Sequence, residues 1–445
     1  MIRNAQEMYR EDVHSTALLV LVLLYFFIGA PPYGVTQSNA LSNEYSGDLL
    51  NQLIWLFLAF LAVPLISRYW QSVKLIMTRS VPLIFLMLWC AASIIWATEI
   101  DVSVRRVVRL FLVSMVAVAI VASPISAQKL LRCLIVVTGM VVAVNFAFAA
   151  LFPNLAFDVS GNLTGLYSHK NTAGIMVMVI TLIWISAARH EELPLRRAVY
   201  FVGSIVGFFF VVRTGSLTAL TVLVFVPVFV IGTTFLARQY GGKLLFPASL
   251  VAVTVALSAM MLMSFKGIRI ADLPEVLLAD PTITGRVELW EWMFGEIGNR
   301  PWLGYGFGSF WNTGAANSLQ SFGPNWLQTI QQAHNGYLDA LATIGIIGLF
   351  FLSVYLLSAA ISGIDLLRNR CSQDVRALVE GLWSITIGSL VYNLTESSFL
   401  SSGSVVWFFL VFSYLVFRAC AKIQKPGQLN VIPGFESYAH SPRPQ

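Results

Sequence analysis

The fold class this sequence predicts is all-α: a polytopic transmembrane helical bundle of about twelve spans with one large structured external loop. Three observations carry that expectation. Hydrophobic residues fill 57% of the 445 positions and charged residues only 11%, where a water-soluble domain holds about a quarter charged residues. Mean hydropathy is +0.75. That much apolar surface needs lipid as solvent, and in lipid the backbone must hydrogen-bond to itself, which leaves helices or a closed barrel. The apolar runs are also long and do not alternate, which selects helices.

Candidate spans lie near 15–30, 49–67, 82–97, 105–122, 130–152, 172–188, 198–212, 216–236, 244–265, 336–361, 377–395 and 402–418. The first comes after Arg3 and Arg10 as a signal peptide would. No small-x-small cleavage site succeeds it and further spans do, so it reads as a retained span. With an even number of spans, both termini share a side. Placing them in the cytoplasm puts nineteen of the 28 cations inside, and the first external loop, 33–48, has none. The formal charge of +6 is then a topology signal. No basic stripe interleaved with aromatics points to nucleic acid. Cys90 and Cys133 fall inside spans and Cys371 and Cys420 on the cytoplasmic side, so no disulfide framework is implied.

The chain reads as a single membrane domain over 1–445, with a large periplasmic loop at 266–335 and a polar, disordered cytoplasmic tail at 426–445. Within the loop, Val287, Leu289, Trp290, Met293, Phe294 and Ile297 recur at helical spacing. Thr284 or Gly285 can cap this helix, and Gly298, Asn299 and Pro301 end it. A glycine-rich turn, 304–308, comes next, and a second short helix leads to His334.

Nine cations remain on the outer face: Arg105, Arg106, Arg109, Lys170, Arg213, Lys266, Arg269, Arg286 and Arg300. Cations placed against the topological preference suggest an anionic ligand there, with snorkelling at the interface as the alternative. The segment 165–174 opens the sixth span. Ser168 or Asn171 can cap it, and His169 and Lys170 add donors beside a helix N-terminus, which is a phosphate-binding arrangement or a polar cap with an interfacial lysine. Arg213 begins the eighth span, and its planar fork suits a pair of phosphate oxygens. Arg286 stands in the first turn of the loop helix, where the dipole disfavours a cation unless an anion sits nearby. The alternative is a local pair with Glu288 or Glu291. His334 lies where the loop re-enters the membrane and can take a proton near neutral pH. No Cys/His pair has metal-ligand spacing, no Asp-x-Asp occurs, and the glycine run is no nucleotide loop, so neither a metal nor a cofactor is called for.

Taken together, Ser93-Ile94-Ile95-Trp96-Ala97 with Arg105 and Arg106, the run 165–174, the stretch 215–220, Thr284-Gly285-Arg286 with Trp290, Arg300 to Gly306, and His334-Asn335-Gly336-Tyr337-Leu338 resemble the O-antigen ligase and Wzy-type polymerase superfamily. The nearest members are the ExoQ-like exopolysaccharide polymerases, and the similarity covers roughly 80–415. The resemblance implies a metal-independent glycosyltransferase of the bacterial inner membrane, with both termini cytoplasmic. Its donor would be an undecaprenyl-pyrophosphate-linked oligosaccharide. Its acceptor would be a glycan or a lipid-linked glycan, and a chain-length regulator and a flippase would be its partners. By the same resemblance Arg286 would hold the pyrophosphate and His334 would activate the acceptor hydroxyl. Arg213 would assist, while His169, Lys170, Asn171, Arg105 and Arg106 would bind the donor. Related sequences often carry Arg or Lys where this chain has Leu217, and Arg213 lies one helical turn earlier. Two rivals stay open: ligation of the glycan to lipid A-core or protein, and a flippase for lipid-linked oligosaccharides.

Overall fold

A computed structural model describes residues 2–28, 49–240, 282–311, 313, 330–369 and 372–421. The helices are α1 (Ile2–Ile28), α2 (Leu49–Arg68), α3 (Trp70–Arg79), α4 (Val81–Ala92), α5 (Ile100–Ala122), α6 (Ala127–Leu151), α7 (Lys170–His190), α8 (Pro194–Thr214), α9 (Leu217–Tyr240), α10 (Thr282–Asn299), α11 (Gly336–Arg368), α12 (Gln373–Tyr392) and α13 (Val405–Cys420). Among the described residues the only strand-like pairing is a bridge between Phe157 and Leu163. The chain is an all-α, multi-pass membrane protein, as its composition requires.

Six helices are long and apolar enough to cross a membrane: α2, α6, α7, α8, α9 and α11. The pair α3–α4, bent by 86° at Ser80, makes a seventh if it is one broken span. Val13–Ile28 and α13 are apolar but shorter. Twelve such helices are therefore not reached among the described residues, and the expected span 244–265 lies outside them. Two of the shortfalls have a physical reason. The expected span 105–122 is α5, whose N-terminal half carries Arg105, Arg106 and Arg109. The expected span 377–395 is α12, which holds Glu380, Ser384, Thr386 and Ser389, all buried. A helix enclosed by protein has no lipid to satisfy, so it tolerates polar side chains that a lipid-facing helix does not.

α12 is that central helix. It packs against α6, α7, α9, α11 and α13, and nearly every residue from Val375 to Ser389 is buried. α7 runs alongside it, also packing on α8. One end of this pair is pinned by Glu380, which takes Arg189 and, at 2.9 Å, His190 Nε2.

The described residues of the long loop form a small second core. Leu289, Trp290, Trp292, Met293 and Ile297 of α10 bury against Tyr305, Phe310, Trp311, Ala333 and Leu338. α10 starts at Thr282, two residues before the expected cap, and runs through Gly298 to end at Asn299, ahead of Pro301. The expected second short helix falls largely outside the described residues. The glycine turn proves to be a structural clamp. Gly304, Gly306 and Gly308 all have positive φ (68, 94 and 66°). A Cβ on Gly306 would lie 2.4 Å from the Ala97 Cα, so no side chain fits there. Around it, the Thr98 N–H donates to the Tyr305 carbonyl at 3.0 Å, and the Phe307 N–H donates to Ser93 Oγ at 2.9 Å. The Tyr305 N–H donates to the Ala342 carbonyl at 2.9 Å, beside a break in α11 at Gly345. The turn thus ties the segment after α10 to the end of α4 and to α11.

Candidate functional site

His334 owes its position to the two residues after it. Asn335 caps α11, its Oδ1 accepting from the Tyr337 and Leu338 N–H groups at 3.0 and 3.1 Å. The strap is then fastened to the turn after α12. The Asn335 N–H donates to Ser397 Oγ at 3.0 Å and Asn335 Nδ2 to the Leu394 carbonyl at 3.2 Å. The Gly336 N–H donates to the carbonyls of Asn393 and Glu396 at 2.9 and 3.1 Å. That turn is held by buried Asn393, whose Oδ1 accepts from the Ser398 and Phe399 N–H groups and whose Nδ2 donates to Ser398 Oγ. These bonds hold His334 at φ 49°, a conformation a non-glycine residue adopts at a cost and which clusters at functional sites.

The side chains converge on Glu396, a carboxylate only 4% exposed. Its Oε2 lies 3.1 Å from His334 Nδ1. Its Oε1 accepts from Asn171 Nδ2 at 3.0 Å and from Arg286 Nη2 at 3.1 Å. Three segments meet there: the start of α7, α10 and the strap before α11. Arg286 therefore pairs with a carboxylate 110 positions away, and among the described residues no pair with Glu291 is found. Because α10 starts at Thr282, Arg286 is its fifth residue, beyond the reach of the strongest dipole effect. The anion that makes sense of this cation is Glu396.

The cap of α7 also differs from expectation. Neither Ser168 nor Asn171 supplies it. His169 does, its Nδ1 accepting from the Asn171 N–H at 3.1 Å. The outer edge of the ring stays accessible, yet desolvation where it packs on the helix end lowers its pKa, with Lys170 and His334 pushing the same way and Glu396 and Asp158 opposing. The ring is thus neutral near pH 7, and its Nε2 carries the hydrogen as a donor. Lys170 lies within electrostatic reach of Asp158.

The structure thus gathers Arg286, His334 and Asn171 on Glu396, with His169 within electrostatic reach of that carboxylate and of Lys170. It does not bring Arg213, Arg105 or Arg106 onto Glu396. Arg213 sits in the last turn of α8 rather than at the start of the next span, ahead of Gly215 in the left-handed conformation (φ 64°), and its side chain is exposed. Arg105 is exposed, and Arg106 donates through Nη1 to the Gly308 carbonyl. The residue the sequence reading missed is Glu396. A signal existed: it is the only acidic residue between Glu380 and Glu436, and it stands at the expected outer end of a span.

Fold and site together define a polytopic membrane protein with a basic, histidine-bearing cluster on one buried carboxylate. Comparison with known proteins specifies this further. Residues 159–353 match the O-antigen ligase family model. A Rickettsia conorii protein, named as a candidate polysaccharide ligase, is 25% identical over 193 residues, 42% of this chain and 44% of that protein. The match thus spans less than half of the relative's length. Both matches support the O-antigen ligase and Wzy superfamily. The matched segment contains His169, Asn171, Arg213, Arg286 and His334 and ends before Glu396.

Proposed function

We propose that this chain is a membrane glycosyltransferase that moves an oligosaccharide from undecaprenyl pyrophosphate to a second glycan at the periplasmic face of the inner membrane, polymerising an exopolysaccharide or O-antigen. The observation that carries the reading is the meeting of Arg286 and His334 on Glu396, a half-buried cation and a half-buried proton acceptor held on one buried carboxylate. The acceptor oxygen attacks the anomeric carbon, and the bond from that carbon to the pyrophosphate oxygen breaks with its electron pair leaving on the pyrophosphate. The acceptor proton goes to His334 Nε2. Arg286 turns its fork to the leaving pyrophosphate, where a fixed cation stabilises charge that develops in the transition state. The neutral His169 ring and Asn171 add hydrogen-bond donors at the N-terminus of α7, an anion-favouring position. Arg213, Arg105 and Arg106 stand as outer cations for the approaching donor. On this reading no metal takes part in the transfer, and a flippase and a chain-length regulator are the partners.

Ligation of the glycan to lipid A-core or protein is the second reading, favoured by the family description and by the relative's name. The test is turnover by purified protein in lipid nanodiscs, with a defined undecaprenyl-pyrophosphate-linked oligosaccharide offered alone or with a lipid A-core acceptor, with and without EDTA. Elongated glycan plus free undecaprenyl pyrophosphate from donor alone supports polymerisation. Product only with the second acceptor supports ligation. Donor left intact under both conditions contradicts transfer.

A further inference from the structure

We propose that Glu396 is the positioning residue for His334, fixing which ring nitrogen faces the acceptor. This rests on the reading of His334 as the base. No local need of the fold explains a carboxylate at 396. Its turn is secured by Asn393 and Ser398, and the residue's own backbone carbonyl accepts from Gly336. Burying a carboxylate is costly unless it is paired and hydrogen-bonded. Among the described residues, every side-chain bond that compensates Glu396 comes from Asn171, Arg286 or His334.

The geometry decides the tautomer. Two groups contend for His334 Nδ1. Gln332 Nε2, at 3.5 Å, could only donate to it and would make Nδ1 an acceptor. Glu396 Oε2, at 3.1 Å, can only accept. The shorter bond to an ionised oxygen is the stronger by about twofold, so Nδ1 carries the hydrogen and Nε2 keeps its lone pair for the acceptor hydroxyl. When Nε2 takes that proton, the imidazolium stays bonded to a carboxylate that does not itself become protonated, the logic of a base held by a third group. The other oxygen keeps Arg286 beside the same ring, so the groups assigned to leaving group and acceptor share one anchor.

Glu396→Gln inverts this arrangement with almost no change in size. The amide oxygen can still accept from Asn171 and Arg286, but its NH2 then faces Nδ1, which must accept. The ring hydrogen moves to Nε2, which can no longer take a proton. In full-length protein in nanodiscs, with an undecaprenyl-pyrophosphate-linked oligosaccharide as substrate, Glu396→Gln is expected to lower kcat by on the order of 10²–10⁴ and leave the donor KM within about threefold. Glu396→Asp keeps the charge one methylene short of Nδ1 and recovers part of the lost kcat. In a His334→Gln background, adding Glu396→Gln costs nothing further, because a residue that acts through the base has nothing left to position. Wild-type kcat in Glu396→Gln, a rise in donor KM with kcat intact, or a full additional loss in the double variant overturns the inference. If Glu396→Gln does not accumulate, Glu396→Asp decides alone: lowered kcat at unchanged KM supports the inference and wild-type kcat overturns it. The two readings fail separately. Full activity in Glu396→Gln beside an inactive His334→Gln removes only the role of Glu396. Full activity in His334→Gln removes the base assignment on which that role rests.

Discussion

His334 Nδ1 and Glu396 Oε2 lie 3.1 Å apart although 62 positions separate them in sequence. The pair exists because two local structures are fastened together: the strap that caps α11 and the turn at the end of α12. Arg286 and Asn171 join the same carboxylate from α10 and α7. Changes at any of these segments should therefore be felt at one point.

Arg286 offers the plainest case. Arg286→Ala is expected to lower transfer by about 10²–10³, the usual cost of losing one group that stabilises a developing anion. Arg286→Lys should recover little, because a point charge cannot reproduce a planar fork bonded to Glu396 and to an anion together. Turnover by purified variants of matched monodispersity measures both. Wild-type rates in Arg286→Ala remove it from the site.

Gly336 tests the fastening itself. A Cβ there would stand 2.0 Å from Asn393 Oδ1, and Asn393 is held at both ends by hydrogen bonds. Gly336→Ala should cost about 1–3 kcal/mol of stability, as overpacking does, and reduce transfer by displacing His334. A thermal melt in detergent checks the first and a rate the second. An unchanged melting temperature and rate would show that strap and turn are not tightly joined.

His169 gives a pH dependence. Its pKa in the fold is lowered, chiefly by desolvation, and the Nδ1 that caps α7 must stay unprotonated to accept. The fold therefore binds fewer protons there than the unfolded chain. It loses stability as pH falls below about 6.5, the ordinary histidine value, and the loss levels off below the lowered value. His169→Asn keeps a good capping side chain and removes the titration, so its stability should vary less between pH 7 and pH 5 than that of the wild type. Equal acid sensitivity in the two proteins would argue that the cap is not the titrating element.

Topology can be checked by cysteine labelling from either side. Cysteines at the exposed positions Ser160 and Asn299 should react from the periplasm, and those at Gln71, Glu192 and Gln373 only after the membrane is opened. The reverse pattern would place the Glu396 cluster in the cytoplasm, where a lipid-linked donor awaiting polymerisation is not expected.

The extent to which this molecule is legible in sequence depends on what each residue faces. Lipid-facing helices such as α2, α6 and α9 declare themselves by uninterrupted hydropathy. α12 is harder to count because protein surrounds it and Glu380 finds Arg189 and His190 there. His334, Arg286 and Asn171 are legible because charge and capping residues at span ends are conspicuous. Glu396 is not, because its meaning depends on which segments fold onto it, and neither periodicity nor spacing encodes a contact 110 positions long. The same limit applies to Arg106. It reads as an outward cation and in the fold donates to the Gly308 carbonyl.

On the proposed function, His334 removes the acceptor proton during transfer from a pyrophosphate-linked donor. The most direct measurement is single turnover by purified His334→Gln with a defined undecaprenyl-pyrophosphate-linked oligosaccharide, donor binding being measured separately. Gln retains hydrogen bonding but cannot take a proton. If His334 is the base, donor affinity stays close to wild type and transfer falls by on the order of 10²–10⁴. Substantial turnover by His334→Gln would contradict it and leave His334 an orienting residue.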